Sequence, residues 1–182
     1  LLKTKGEGEE KVLKIFPNTN IIRPSLIFGP EDDFFNRFAR MALISPVLPS
    51  IGSETKFQPV FVDDVAKAVT FLVKNKCEKR YLELGGQEVF LFVDLLRKLL
   101  VHINRKRIIL RVPLFAAKVM ALINDFLRLI TGNIFPAFLT VAQVKSFEID
   151  NICGEGLDNF EDLGIEPKGL DIILPTYLNR FR

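Results

Sequence analysis

An α/β fold with a parallel sheet, followed by a mostly helical part, is what the sequence predicts, and three observations predict it. Residues 20–28 form a nearly continuous apolar stretch through Ile21, Ile22, Leu26, Ile27 and Phe28, the pattern of a strand buried on both faces in a parallel sheet. Residues 56–62 read as a short strand that runs straight into a helix over 63–74, the grammar of strand-then-helix units. From residue 113 onward the apolar pattern is helical rather than alternating. With 182 residues, 48% of them hydrophobic, the chain has material for a core, and 11 Gly and 10 Pro are too few for low-complexity sequence.

Each element follows from local signals. Residues 4–16 (TKGEGEEKVLKIF) are a charged amphipathic helix ended by Pro17 and Asn18. Gly6 and Gly8 are poor helix formers, so the helix is expected to pack closely against a neighbour there. Lys3, Lys5, Lys11 and Lys14 stand three or four residues from Glu7, Glu9 or Glu10, the spacing of ion pairs on a solvated helix face. Pro24 places the 20–28 strand at a sheet edge or near the strand's end. After Gly29 and Pro30, a helix over 34–43 puts Phe34, Phe35, Phe38 and Met41 on its apolar side, with Asp32 and Asp33 as N-caps.

Pro46 and Pro49 mark a loop. The 63–74 helix turns Val65, Val69 and Leu72 inward and is capped by Asp63 and Asp64. A strand over 80–84 is stopped by Gly85 and Gly86, and a helix follows over 92–103. Beyond 108–112, helices over 113–130 and 140–149 are joined by an apolar turn over 132–136. Pro175 makes a last helix over 170–177 short or kinked.

Composition narrows the function. The net charge of +3, from 25 Lys and Arg against 22 Asp and Glu, is too mild and mixed to point to nucleic acid. Cys77, Cys153 and the single His102 make neither a metal site nor a disulfide framework, so a reducing, cytoplasmic setting is expected, with His102 structural and both thiols unpaired. No window supplies the ~18 uncharged apolar residues of a spanning helix. Seventeen Phe against two Tyr and no Trp suit packing or lipid contact better than a wet sugar-stacking groove. The densest basic cluster, Arg105, Lys106, Arg107 and Arg111, adjoins the most apolar helix, over 113–130, an arrangement that suits an anionic lipid surface or a helix buried in a larger fold. Neither GxGxxG nor GxxxxGK[ST] occurs in these residues.

Several segments, taken in order, carry a family resemblance. KTKGEGE, IIRPSLIFGPEDDFFNRF, PVFVDDVAKAV, YLELGG and NFEDLGIEPKGLDIILPTYL together resemble the C-terminal half of atypical extended short-chain dehydrogenases/reductases. The branch they are most similar to includes the Rossmann-type accessory subunit of respiratory complex I, the NADH:ubiquinone oxidoreductase of the respiratory chain, and its bacterial relatives. The resemblance implies that residues 1–84 are the C-terminal portion of a Rossmann-like NAD(P)-binding domain and residues 85–182 a mainly helical substrate or partner subdomain.

The same resemblance implies the site residues. The class uses YxxxK on one helix, where the Tyr moves a proton and the Lys holds the nicotinamide ribose and lowers the Tyr pKa. Lys5 matches that Lys, and Leu1 stands where the Tyr would be; a leucine neither donates nor accepts that proton. The segment from Arg23 to Pro30 matches the one that lies against the nicotinamide, which makes Pro24, Ser25 and Ile27 cofactor-side residues. Leu26 stands where sugar-nucleotide epimerases of the class usually carry Asn, a departure from that substrate class. NAD or NADP is the implied cofactor. Its glycine-rich phosphate loop would lie in an N-terminal Rossmann half, so the chain is expected to be a fragment, a split-gene product or a relic.

The expected role is therefore structural or in assembly, with complex I subunits and an anionic lipid surface as partners and a peripheral place on the inner face of the membrane. An epimerase-like or oxidoreductase enzyme completed by an N-terminal half is the alternative.

Overall fold

A computed structural model describes residues 2–75, 81–131, 141–154 and 159–182. In chain order the first elements are α1 (Leu2–Ile15), β1 (Ile21–Pro24), β2 (Ile27–Phe28), α2 (Asp33–Ile44), β3 (Val47–Ile51), β4 (Lys56–Phe57), β5 (Val60–Phe61) and α3 (Val62–Lys74). They are followed by β6 (Tyr81–Leu84), β7 (Phe90–Leu91), α4 (Phe92–His102), β8 (Ile108–Val112), α5 (Leu114–Thr131), α6 (Val141–Ser146) and α7 (Leu170–Leu178). The expected α/β class with parallel pairing and a helix-rich later part is what the structure has. Leu1, Cys77, Arg80 and the turn over 132–136 lie outside the described residues.

Two compact units interleave along the chain. The first comprises Leu1–Asp33, Gln58–Val89 and Ile152–Tyr177. Its strands run parallel: β1 pairs with β6, in a register that sets Pro24 opposite Leu84, and β2 pairs with β5. The expected single strand over 20–28 is thus two short ones. The chain bends at Ser25 and Leu26 and changes partner, with Ser25 N donating to the Leu84 carbonyl (3.0 Å) and Val60 N donating to the Leu26 carbonyl (2.9 Å). Pro24, lacking an N–H, ends the first pairing where the bend begins.

Burial of this segment is one-sided, contrary to the expectation of two covered faces. Ile21 and Phe28 are buried while Arg23 and Ile27 are exposed. The Arg23 guanidinium is engaged at the surface, bonded to Glu9 of α1 (2.5 Å), 3.8 Å from Glu83 and 4.8 Å from the Tyr81 ring centre. The core of the unit is Val60, Ala68, Leu82, Leu84, Phe160 and Leu163, with Ile22, Val65, Leu72 and Ile165 packed on it. Val69, expected inward, is 41% exposed because the buried stripe of α3 runs through Asp64 and Ala68 instead. Gly6 and Gly8 do not mark a tight contact: a Cβ built on either meets nothing within 4 Å.

The second unit comprises Phe34–Phe57, Phe90–Asn151 and Leu178–Arg182. β3 pairs in parallel with β8, and β4 pairs antiparallel with β7. Pro49, expected in a loop, lies inside β3 opposite Leu110. A two-stranded ladder leaves one edge of each strand unpaired, and a proline whose missing N–H faces that edge costs no bond. Phe92, 1% exposed, is the hub of the packing, with ring centres of Phe34, Phe38, Phe57 and Phe147 5.2 to 6.0 Å away. Phe-rich composition here builds a core of tilted and edge-on rings that needs no polar partner. A smaller cluster of Ala117, Ala121 and Val144 joins α5 to α6, with Ile51, Val112 and Leu114 packed against it. Helix α6 stops at Ser146, short of the expected 149. The last helix, α7, is nine residues long and carries Pro175 inside it, as the sequence predicts.

Candidate functional site

In the first unit the parallel strands end together. The residues just beyond their carboxyl ends, Ser25, Gly29, Gly85 and Gly86, form the crevice side of an open α/β sheet, where ligands of this architecture collect. Gln58, in the break between β4 and β5, ties these ends to one another. Its backbone N donates to Ser25 Oγ (3.2 Å), its side-chain Nε2 donates to the Gly86 carbonyl (2.9 Å), and its Oε1 accepts from Cys153 N (3.0 Å). Gly86 N in turn donates to the Gln58 carbonyl (3.2 Å).

This approach demands glycine. A Cβ on Gly86 would lie 1.9 Å from the Pro59 carbonyl oxygen, and one on Gly85 would lie 2.4 Å from Gln58 Cδ. Gly85 and Gly86 therefore do more than stop β6; they admit the Gln58 amide. A cleft of about 530 Å3 opens beside them, with Gln87, Asn159, Glu161 and Ile165 among its walls. Burial, and secondarily the Glu83 carboxylate, push the Cys153 thiol at its wall up to about 11, so it stays protonated at neutral pH and is a poor nucleophile. The cleft offers amides and glycine backbone for hydrogen bonding.

Two further carboxylates shape the unit. Asp64 is fully buried, accepting from Lys67 Nζ (2.7 Å) and from the backbone N of Lys168 (2.7 Å). It was expected to cap α3, but α3 starts at Val62 and its cap residue, Phe61, makes no side-chain cap bond. Asp64 instead latches the segment before α7 to the first turn of α3, using an acceptor that burial makes strong. Asp32 accepts from the Tyr177 hydroxyl (2.6 Å) and from Gly29 N (3.2 Å), which fastens the turn after β2 to α7.

The residues named from the sequence fall in one unit but not at one point. Pro24 ends β1, Ser25 sits in the bend bonded to Gln58, and Ile27 opens β2 with its side chain 39% exposed. Lys5 is exposed on α1, one turn before Glu9. The hydrogen bond from Arg23 holds the Glu9 carboxyl below its ordinary range, with the Lys5 charge adding a smaller pull in the same direction. Leu1 lies outside the described residues. Sequence reasoning missed Gln58 and the buried role of Asp64. The one available signal was polar Gln58 beside Pro59 at the mouth of an otherwise apolar strand. Among the described residues, no group of three or more His, Cys, Asp and Glu could hold a metal ion.

Comparison with solved structures defines the class. The fold is shared with a UDP-glucose 4-epimerase from Thermotoga maritima solved with UDP-glucose (TM-score 0.64, 18% identity, covering 95% of this chain and 50% of that one). It is shared as well with a dTDP-glucose 4,6-dehydratase from Streptomyces venezuelae solved with NAD bound (TM-score 0.61, 13% identity, 95% and 46%). The chain therefore has a Rossmann-like fold. In sequence it is similar, along its whole length, to an accessory subunit of respiratory complex I. It is 32% identical over 184 residues to the NADH dehydrogenase [ubiquinone] 1 alpha subcomplex subunit 9, mitochondrial, of Rattus norvegicus, a match covering 100% of this chain and 47% of that protein. The chain spans about half the length of the curated relatives it matches. No family model matches it. Among the described residues, no helix is long and apolar enough to cross a membrane.

Proposed function

We propose that this chain serves a structural or assembly role in a respiratory complex I, peripheral on the inner face of the membrane, and that it is part of a protein that binds NAD or NADP without turning over a substrate. The relatedness to complex I accessory subunits from end to end carries this reading. In the site, the strand-end cleft is built from amides and glycines around a thiol that stays protonated, and Leu1 stands where the class places its proton-transferring Tyr. Such a site supports binding more readily than proton transfer.

On this reading Pro24, Ser25 and Ile27 would line the nicotinamide side of the cofactor and Lys5 would hold its ribose, with the phosphates bound by an N-terminal Rossmann half. Other complex I subunits and anionic lipid are the partners. The test is native electrophoresis of detergent-solubilised membranes from cells carrying a tagged chain. Co-migration with complex I, and loss of assembled complex when the gene is deleted, are expected. A tag that runs only as free protein, with complex I assembled at its normal level in the deletion, overturns the reading.

The alternative, an oxidoreductase or epimerase completed by a Rossmann half, draws on Lys5 in the position of the class lysine. Nicotinamide-linked turnover abolished by Lys5→Ala would establish it in place of the structural role.

A further inference from the structure

Residues 164–169 run from Leu163 to α7 without joining a helix or a strand. Where the run begins, Gly164 N donates to the Glu161 carbonyl (3.0 Å) and Ile165 N to the Phe160 carbonyl (3.0 Å), and the Ile165 side chain packs on the core of Val60, Leu82 and Leu84. Where it ends, Leu170 is buried again. Between these anchors the chain is held at a single atom. Pro167 has no N–H to give, and among the described residues the one hydrogen bond that ties Glu166, Pro167 or Lys168 to another part of the chain runs from Lys168 N to Asp64 Oδ2 (2.7 Å). Glu166 and Pro167 stand on the wall of the strand-end cleft, which Gln87 and Cys153 also line. Gly169 closes against Gln87: a Cβ there would lie 3.1 Å from Gln87 Oε1.

We infer that Glu166–Gly169 is a strap at the cleft and that Asp64 is the latch that keeps it shut, so that the cleft opens to a ligand when Lys168 N leaves the carboxylate. Asp64 is fully buried in the first turn of α3, and its other oxygen accepts from Lys67 Nζ (2.7 Å), whose side chain reaches in from solvent. A buried carboxylate is costly to keep, whereas an amide on a surface segment loses nothing by facing water. Their meeting fixes where Glu166 and Pro167 stand. The Lys168 ammonium, 5.5 Å from the centre of the Phe61 ring, adds a weaker hold on the same segment. With Ile165 and Leu170 still packed, release of the latch is a local opening that leaves the unit folded. This rests on the reading of the cleft as a binding site and names what governs entry to it.

Cys153 reports on the cleft without any ligand. In the full chain carrying Cys77→Ser, the rate at which Cys153 reacts with dithiodipyridine is followed without urea and at urea concentrations well below the unfolding transition. Asp64→Ala is expected to raise the rate about tenfold or more, and Asp64→Asn, which keeps an acceptor oxygen but not the charge, to raise it less. Lys67→Gln, which leaves the Lys168 bond in place, should stay within about twofold of the unaltered chain. The increase should hardly depend on urea, because a local opening exposes little surface, whereas a route through global unfolding climbs steeply. If Asp64→Ala fails to fold, Asp64→Asn decides by the same criteria. Unchanged rates in the Asp64 variants, or rates that climb with urea as global unfolding does, overturn the latch. So does Lys67→Gln matching the Asp64 variants, since the ion pair would then be what matters. The complex I reading stands or falls on co-migration, which none of these labelling results touches.

Discussion

The two units reach order by different chemistry. In the first, polar groups at the ends of parallel strands are satisfied one by one: Gln58 makes or accepts bonds with Ser25, Gly86 and Cys153, and Asp64 and Asp32 each accept twice. In the second, six phenylalanines from α2, β4, α4 and the residue after α6 share one cluster in which no group needs a partner. Hydrogen-bonded order depends on a few atoms being in place, and ring packing depends on volume. A crevice able to recognise a ligand belongs with the first kind, because every donor there has a defined direction.

Substitutions can break that contrast in graded steps. The largest effect is expected from Phe92→Ala, which leaves a ring-sized hole at the hub of the cluster and should cost about 3–5 kcal/mol in denaturant unfolding. Hydrogen exchange should then rise in β3 and α4 more than in β1 and β6. Gln58→Leu keeps the volume but strips the side-chain amide, stranding the Cys153 N–H and the Gly86 carbonyl; a loss of about 1–3 kcal/mol is expected, larger than its small change in apolar packing would give. If Gln58→Leu proves neutral, the crevice is held by volume like the other unit, and the contrast fails.

Smaller effects sharpen the comparison at the surface. Gly8→Ala is expected to stabilise the chain by about 0.5–1 kcal/mol, since helix α1 there faces open space and glycine only adds unfolded-state freedom. A destabilising Gly8→Ala would mean that α1 packs on something at that turn. The smallest effect concerns pH. The folded chain holds the Cys153 proton up to about 11, above the ordinary 9.0, so the stability it contributes is intact below pH 9 and is lost as pH rises from there toward 11. Cys153→Ala in a Cys77→Ser background should flatten that alkaline loss in thermal unfolding, and Cys153 should resist iodoacetamide at neutral pH.

Much of the secondary structure was legible from local pattern. Helices α2 and α4 begin and end within about a residue or two of their expected limits because amphipathic periodicity is a local property. Errors arose where a distant partner decides. Pro49 reads as a loop residue until β8, some sixty positions on, supplies a ladder that leaves the proline edge free. The 20–28 stretch reads as one strand, yet it splits because Leu84 and Val60 lie beside different parts of it. Asp63 and Asp64 read alike as caps, and only the return of the chain at Lys168 makes Asp64 a buried latch.

Residue order alone determined the class of fold, the apolar stripes and the basic stretch around Arg105 to Arg111, all carried by composition and spacing, and its motifs carried the resemblance to the complex I branch. Tertiary structure decided which polar atoms converge at the strand ends. Gln58, Gly86 and Cys153 are 28 and 95 positions apart in the chain, and a hydrogen bond constrains distance and direction in space, quantities that spacing along a chain does not contain.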